Sequence, residues 1–334
     1  MRIAIIGSKG YDSMEYNLWD ACLHIGHEAA IFDLHDYLFT KNKYGIKADE
    51  LMRKYSDYYD QKIFRKIAQK VIDWQPELVI CVYRFIHPTL ISTIKTETKS
   101  RIIHINPDAI TTFEYQQVFM SDYDAWFTKD PYIVNFMRKN MKLNAILYYE
   151  AFNQRIHKKP NKPKQDAESE ANIDVMTYGT IYPYRSKMLK HILDANIKLS
   201  IYGIRPNRFY DHSLDRAFKN KYIMGCEKAA LLYGAKIVFN QMHYAEIESV
   251  NCRFFEANGC GAFQLVDYRP ILHKLLPINP ELVSFKGIDE GIDKIKYYLK
   301  HPQERYELSG KIHRYTIERF SYDHLIQYIL KSIS

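Results

Sequence analysis

The chain has 334 residues, of which 47% are apolar and 26% are charged. This length and balance exclude both a disordered chain and a single small core, and they indicate two globular domains. The formal net charge of +8 favours an anionic ligand, but the lysines are spread along the chain, so a solvated basic surface explains them better.

The cysteines and the N-terminus indicate the compartment. The five cysteines include no CxxC pair, and no apolar run reaches the roughly 20 residues of a transmembrane helix. The first residues, MRIAIIGSKG, begin a strand rather than a signal peptide. We therefore predict a cytoplasmic protein with reduced thiols and no transmembrane segment.

The first half of the chain alternates apolar strands with helices. Strands are predicted at residues 2–6, 29–34, 77–82, 101–105, 124–128 and 145–148. Helices are predicted at 12–25, 88–95 and 131–139, with a polar helical hairpin within 48–74. Near-continuous apolar strands separated by helices indicate a parallel sheet that is covered on both faces.

Residues 153–172 are rich in charges and contain two prolines, which predicts a linker. Alternation then resumes, with strands at 173–178, 197–202, 222–224, 236–240, 262–266 and 282–285. Helices are expected at 184–195, 228–233, 250–258, 288–301 and 321–332. We predict an α/β fold with two doubly wound Rossmann-like domains, residues 1–152 and 173–318, and a terminal helix within 319–334. Ligands are expected in a cleft between the domains, at the carboxyl ends of the strands.

The most informative segment is KIVFNQMHYAEIESVNCRFFEANGCGAFQLVD, residues 236–267. It predicts a helix that Ser249 opens and that begins with Val250 and Asn251. The unpaired N–H groups of such a helix start suit a diphosphate. Glu256, two turns further on, could accept hydrogen bonds from the vicinal hydroxyls of a sugar, and this combination predicts a nucleotide-sugar site.

Glu248 precedes Glu256 by seven intervening residues. On a helical axis this separation is roughly 12 Å, which is comparable to the span from ribose to hexose across a diphosphate. We therefore include Glu248 among the donor-binding candidates. A glutamate on a surface loop is the alternative interpretation.

A second cluster, YGTIYPYRSK, follows the strand at 173–178. The strand ends at Gly179, and the next helix carries Arg185 and Lys187 in its first turn. Cations oppose the dipole at a helix N-terminus, so their placement is locally unfavourable unless an anion binds there. We predict that Arg185 contacts a diphosphate bidentately, with Lys187 beside it; the alternative is an exposed pair of cations.

The first domain has fewer candidates. Gly7 follows the first strand, but the GSKG turn does not complete a GxGxxG motif, so we expect Gly7 only to allow close backbone approach at the cleft. Asp108 or His104, in the HINPD stretch at the end of the strand at 101–105, could act as base toward an acceptor hydroxyl. A capping aspartate and a packed histidine are the alternatives. The other histidines lack zinc-site spacing, so no metal is predicted.

Three stretches carry a family resemblance: SVNCRFFEANGCGAFQLVDYRP, TYGTIYPYRSKML and LSIYG. They resemble the CgeB-like glycosyltransferases, the spore maturation proteins, which have the two-domain GT-B architecture with a central cleft. The resemblance implies that Glu256 holds the donor ribose, that Arg185 holds the diphosphate and that the last helix braces the first domain. The spacing of Glu248 and Glu256 is similar to the EX7E element of retaining GT-B enzymes, which commonly need no metal.

We therefore predict a glycosyltransferase that moves a sugar from a nucleotide-sugar co-substrate, UDP-linked, to a hydroxyl on a glycan, a protein or a surface polymer. The second domain would bind the donor and the first the acceptor, without a further cofactor. One alternative is a phage-type DNA glucosyltransferase, for which the net charge would suit a duplex. Another is a sugar-nucleotide-binding protein without turnover.

Overall fold

The computed structural model describes residues 1–38, 43–113 and 116–334. The chain divides into two compact units. Unit 1 comprises residues 1–149 and 322–334, and unit 2 comprises residues 150–321.

Unit 1 contains a parallel sheet, and in the described residues its six strands follow the order β2-β1-β3-β4-β5-β6. The strands are β1 (Arg2–Ile6), β2 (Glu28–Phe32), β3 (Leu78–Cys81), β4 (Arg101–Asn106), β5 (Ala125–Thr128) and β6 (Ala145–Leu147). The helices between them are α1 (Met14–His24), α2 (Lys43–Tyr55), α3 (Asp57–Trp74), α4 (Pro88–Glu97) and α5 (Pro131–Asn140). The central strand β3 is buried along its whole length, as expected for a parallel strand that is covered on both faces.

Unit 2 contains a second parallel sheet, with five strands in the order β11-β10-β9-β7-β8 among its fully described residues. The strands are β7 (Ile173–Tyr178), β8 (Leu199–Tyr202), β9 (Ala235–Asn240), β10 (Gln264–Asp267) and β11 (Ser284–Phe285). The helices are α6 (Lys164–Ala171), α7 (Pro183–Asp194), α8 (Gly225–Gly234), α9 (Cys252–Gly259), α10 (Leu272–Leu275), α11 (Ile288–Lys300) and α12 (Pro302–Arg319).

One helix of unit 1 comes from the far end of the chain. Helix α13 (Tyr322–Ile333) packs against α1. Its Tyr328 hydroxyl donates a hydrogen bond to the Leu147 carbonyl at 2.8 Å, and Asp323 lies 2.9 Å from the His24 ring. Residues that are distant in sequence therefore complete the core of unit 1.

Two predicted segments differ from the structure. The second half of the predicted linker forms α6, because Glu168 pairs at 2.5 Å with Arg305 of α12, a partner that local composition does not reveal. The strand predicted at residues 222–224 is absent: Tyr222 and Met224 are exposed, and Met224 is the N-cap residue of α8.

The remaining strands and helices match the predicted α/β alternation, with boundaries shifted by a few residues. In the described parts of the chain, every helix is too short or too polar to cross a bilayer.

Candidate functional site

The candidate site lies in unit 2, where β7, β9 and β10 end side by side. Tyr178, Asn240 and Asp267 are their last residues, and ligands of open parallel sheets bind at this carboxyl edge. The loop after β7 begins at Gly179 with a φ of +87°, a left-handed conformation that favours glycine. A Cβ at Gly203 would lie 2.6 Å from the Gly179 carbonyl oxygen, so the loops after β7 and β8 pack backbone to backbone.

Arg185 lies in the interior of this edge and is only 1% exposed. Its guanidinium donates hydrogen bonds to the Thr180 carbonyl, to the Thr177 hydroxyl at 2.8 Å and to the Tyr178 carbonyl at 3.4 Å. Burial, and then the nearby charge of Arg253, lowers the pKa of Arg185. The predicted bidentate contact with a diphosphate is therefore not available in this conformation, because the side chain folds back onto its own loop.

Arg253 joins two of the loops at this edge. Its two terminal nitrogens donate to the Tyr178 carbonyl at 2.9 Å and to the Gln241 carbonyl at 3.0 Å. Arg253 therefore fixes the separation of the chain segments that follow β7 and β9. In the sequence, this role of Arg253 is indicated by its position three residues before Glu256. An exposed arginine on a helix would have the same spacing, so the sequence does not distinguish the two.

Glu256 lies on α9 with both carboxylate oxygens engaged. One oxygen accepts from the Tyr178 hydroxyl and the other from the Lys228 ammonium, each at 2.9 Å. Lys228 is almost fully buried, and the Glu256 carboxylate compensates part of the cost of burying its charge. Burial, followed by the charge of Glu256, raises the pKa of Tyr178, which keeps this hydroxyl protonated as a donor.

The start of α9 differs from the prediction. Asn251, rather than Ser249, caps the helix by accepting from the Phe254 amide at 3.2 Å. The hydroxyl of Ser249 instead donates to the Glu246 carboxylate, and the Val250 side chain is buried. The side chains of Ser249, Val250 and Asn251 are thus engaged or buried. A nucleotide-sugar donor would therefore contact the backbone at these three positions rather than the side chains.

Glu248 and Lys187 lie at the periphery of this edge. The helix begins only at Cys252, so Glu248 belongs to the preceding loop. The distance between Glu248 and Glu256 therefore cannot be taken from the rise of a helix, as the prediction assumed. Lys187 is largely exposed and lies 3.8 Å from Asp211. The exposed-cation interpretation therefore describes Lys187 better than contact with a buried diphosphate.

Asp267 provides a buried carboxyl near the arginines. Burial raises its pKa, while a hydrogen bond from the Met242 amide at 2.6 Å and the charges of Arg269, Arg185 and Arg253 lower it. The net pKa shift is upward, so the cations only partly offset the loss of solvent.

An aromatic cluster that the sequence analysis missed borders the same edge. Tyr182 stacks on Tyr184 with ring centroids 6.1 Å apart, and both rings meet the edge of His243. Tyr244 is mostly exposed and packs on His243 at 4.3 Å. Because the rings come from loops about 60 residues apart, only the fold brings them together. Such a surface suits the flat face of a ligand ring.

In unit 1, carboxylates bind the glycine turn after β1. A Cβ at Gly7 would lie 2.1 Å from the Glu15 side chain, so the close approach at Gly7 is made by Glu15. Glu15 accepts from the Ser8 amide at 3.0 Å, and Asp33 accepts from the Lys9 amide at 2.7 Å. These carboxylates occupy amides that a phosphate would otherwise use.

The two predicted bases, His104 in β4 and Asp108 after it, have different surroundings. His104 is 2% exposed and packs on Tyr123 and Trp126, and burial lowers its pKa to about 4. It is therefore a core histidine, which corrects its prediction as a base. Asp108 is exposed and lies 3.5 Å from Arg84, so its role as a base stays a prediction.

Sequence comparisons match the chain to glycosyltransferases. Residues 185–331 match the family model described as Glycosyl transferase-like. The spore protein CgeB of Bacillus subtilis (strain 168) is 25% identical over 239 residues, which are 60% of this chain and 71% of that protein. These findings confirm the predicted resemblance to the CgeB-like glycosyltransferases.

Solved structures give the fold. The sucrose-phosphate synthase of Thermosynechococcus elongatus matches with a TM-score of 0.67 and 13% identity, over 99% of this chain and 98% of that chain. The DNA modifying enzyme β-glucosyltransferase, studied with and without its substrate uridine diphosphoglucose, matches with a TM-score of 0.59 and 16% identity, over 100% and 99%; T4 phage structures of a β-glucosyltransferase also match. The predicted GT-B fold is confirmed.

Proposed function

We propose that this chain, a CgeB-like glycosyltransferase with the GT-B fold, transfers a sugar from a UDP-sugar held by unit 2 to a hydroxyl acceptor held by unit 1. A UDP-sugar is favoured because the β-glucosyltransferase with this fold has uridine diphosphoglucose as its substrate. The acceptor would be a hydroxyl of a glycan, a protein or a surface polymer.

The buried guanidinium of Arg185 carries this proposal. Its hydrogen-bond partners are neutral, and within the described residues no carboxylate lies within 4.0 Å of it. Asp267 acts on this charge only at longer range. A buried charge without a contacting counter-ion costs several kcal/mol, and a bound diphosphate would offset that cost. Arg185 would thus stabilise the diphosphate electrostatically, as a fixed positive charge behind the loop, rather than by direct contact.

The start of α7 would supply the direct contacts. Tyr182 occupies the N-cap without a side-chain hydrogen bond, and Pro183 follows at the first position. The next amides, of Tyr184 and Arg185, are therefore uncapped by a side chain and suit phosphate oxygens. Charge that builds on the leaving diphosphate would be stabilised by these amides and by the arginines, without a metal ion.

Glu256 would bind the ribose. A carboxylate has about four lone-pair sites, and Tyr178 and Lys228 use two of those on Glu256. The carboxylate would also accept hydrogen bonds from the two ribose hydroxyls. In unit 1, Asp108 remains the proposed base for the acceptor hydroxyl.

Glu256→Gln tests the donor site. We expect UDP-glucose affinity to fall by roughly 10-fold to 100-fold, because hydrogen bonds to a charged group are each worth about 1.5–3 kcal/mol. Affinity would be measured by calorimetry and turnover by release of UDP. The exposed Glu307 on α12 provides the matched control, and Glu307→Gln should behave as wild type.

A loss of folding must be separated from a loss of binding, since Glu256→Gln leaves Lys228 buried without its carboxylate. The double variant Lys228→Met/Glu256→Gln removes both charges and should recover much of the stability, while donor affinity stays low. Wild-type affinity for UDP-glucose in either variant would contradict the proposed ribose site.

A DNA acceptor is the second candidate, because the matched β-glucosyltransferase modifies DNA and this chain carries a net charge of +8. Duplex binding that weakens steeply with salt, together with glucosylated DNA as product, would favour it. Binding and turnover that are indifferent to DNA would exclude it.

We also propose a cytoplasmic location. Cys22, Cys81 and Cys226 form no disulfide, and Cys226 is exposed. Exposed unpaired thiols are typical of a reducing compartment.

A further inference from the structure

Helix α2 presents its apolar side chains to solvent. Leu51 is 59% exposed, Met52 50% and Tyr55 78%, and Tyr58 at the start of α3 is 74% exposed. Asp49 of the same helix is only 3% exposed. An amphipathic surface helix normally buries its apolar stripe and exposes its charges, whereas α2 exposes these apolar side chains and buries Asp49.

Polar contacts fix this orientation. Asp49 and Arg53, four residues apart, share one helical face. Asp49 accepts a hydrogen bond from the Tyr59 hydroxyl, and the Nε of Arg53 donates to Asp60 at 2.5 Å. Both partners lie on α3, so these contacts hold the polar face of α2 inward. Leu51 and Tyr55 lie on the opposite face and must point outward.

Exposed cations outnumber exposed acids on α2 and α3. Among the described and exposed residues of α2 and α3, six are cationic and three are acidic. The cations are Lys47, Lys54, Lys62, Arg65, Lys66 and Lys70, and the acids are Glu50, Asp57 and Asp73. We use "the α2–α3 surface" for these six cations together with Leu51, Met52, Tyr55 and Tyr58.

We propose that the α2–α3 surface docks on an anionic lipid surface. Helices that expose Leu, Met and Tyr side chains and whose exposed charges are mainly basic have the composition of interfacial helices, in which apolar side chains enter the headgroup boundary and cations meet lipid phosphates. A second copy of the chain would bring the excess cations of two such surfaces together. A nucleic acid would satisfy the cations but would leave Leu51 and Met52 without an apolar partner.

The α2–α3 surface borders a cavity of about 900 Å³ in unit 1. Glu50, Arg53 and Lys54 of α2 line this cavity together with Tyr83 and Phe85 after β3. Docking would therefore present the cavity to molecules at the lipid surface. The surface belongs to unit 1 and the donor residues to unit 2, so the docking proposal stands independently of the proposed UDP-sugar site.

Vesicle co-sedimentation of the full chain tests this proposal. Wild type should bind phosphatidylglycerol vesicles at least about ten-fold more tightly than phosphatidylcholine vesicles, and salt should weaken the binding. Leu51→Ser/Met52→Ser/Tyr55→Ser should lose at least about ten-fold in affinity. Ile204→Ser/Phe209→Ser in unit 2 removes side chains of similar exposure and should leave vesicle binding unchanged.

Each remaining outcome overturns the proposal. Equal binding to both vesicle types, or no binding by wild type, would exclude an anionic lipid surface. Equal losses in the two serine variants would exclude the α2–α3 surface as the docking site. A concentration-dependent dimer that only the α2 variant abolishes would show that a second copy covers this face instead. An unchanged urea unfolding transition in the α2 variant confirms that it is folded.

Discussion

In each unit a turn connects the first strand to the helix that follows it. The two turns differ in charge, since the helix carries an acidic residue in unit 1 and an arginine in unit 2. In unit 1, Ser13 caps α1 through the Tyr16 amide, and Glu15 stands in the first turn. In unit 2, α7 has neither a side-chain cap nor an acidic residue in its first turn, and it carries Arg185.

This difference shows which turn suits an anion. In unit 1, Glu15 and Asp33 bind the amides of Ser8 and Lys9. Burial raises the pKa of Asp33, but these and other hydrogen bonds lower it overall, so the carboxylate stays ionised and repels a phosphate. In unit 2 the first turn of α7 holds the buried cation Arg185. The charge of the turn is therefore the observation that favours unit 2 in the proposed nucleotide site.

The largest expected effect is a loss of stability when a glycine that packs at one of these turns is replaced by alanine. Gly203→Ala should destabilise the protein by roughly 3–5 kcal/mol, because its Cβ would meet the Gly179 backbone at a positive φ. Gly7→Ala should cost only about 1–2 kcal/mol, because the Glu15 side chain can shift. Urea unfolding measures both variants.

A helical glycine provides the control for that pair. Nothing lies within 4 Å of a Cβ at Gly310 in α12, so Gly310→Ala should stabilise by about 0.5–1 kcal/mol. Equal losses of stability in Gly7→Ala and Gly203→Ala would contradict the expectation that a neighbouring side chain can move aside and a neighbouring backbone cannot.

The second prediction concerns the buried charge. Arg185→Met keeps most of the side-chain volume but removes the donor to the Thr180 carbonyl and the Thr177 hydroxyl, so we expect a loss of about 1–3 kcal/mol in stability. UDP-glucose affinity should fall roughly ten-fold, because the fixed positive charge is gone. Calorimetry and urea unfolding separate the two effects, and an affinity that is unchanged in Arg185→Met would remove the proposed role of this charge.

The smallest effect is a pH dependence in unit 1. Burial is the main cause that raises the pKa of Glu15 above its ordinary value of 4.5. The folded state therefore favours the protonated carboxyl, and this stabilisation is lost as the pH rises through the raised pKa. Glu15→Gln remains neutral, so its stability relative to wild type should increase between pH 4.5 and neutral pH. Melting temperatures across this range would show it, and parallel curves would contradict it.

Much of the fold was predictable because it depends on local patterns. The strand at Leu78–Cys81 is four consecutive apolar residues, and such runs identify buried parallel strands directly. Helix α6 was missed because the Arg305 that pairs with its Glu168 lies 137 residues away. The amino-acid composition around α6 therefore gives no indication of this partner.

The site was only partly predictable. Glu256 was singled out on its own helix, but its partners Tyr178 and Lys228 come from other elements. Arg185 was recognised as being in conflict with the helix dipole. The sequence could not reveal that the conflict is met by hydrogen bonds to the preceding loop, because the direction of a long side chain depends on packing.

The chain crosses back to unit 1 with α13, and this has a consequence for the order of folding. During synthesis, residues 150–321 emerge as one continuous segment, so unit 2 can fold as soon as its own chain is complete. Unit 1 begins first but must wait for residues 322–334 to cover α1. Until then, the face of α1 that α13 covers is open to chaperones and to other nascent chains, so the first unit to be made is the last to be finished.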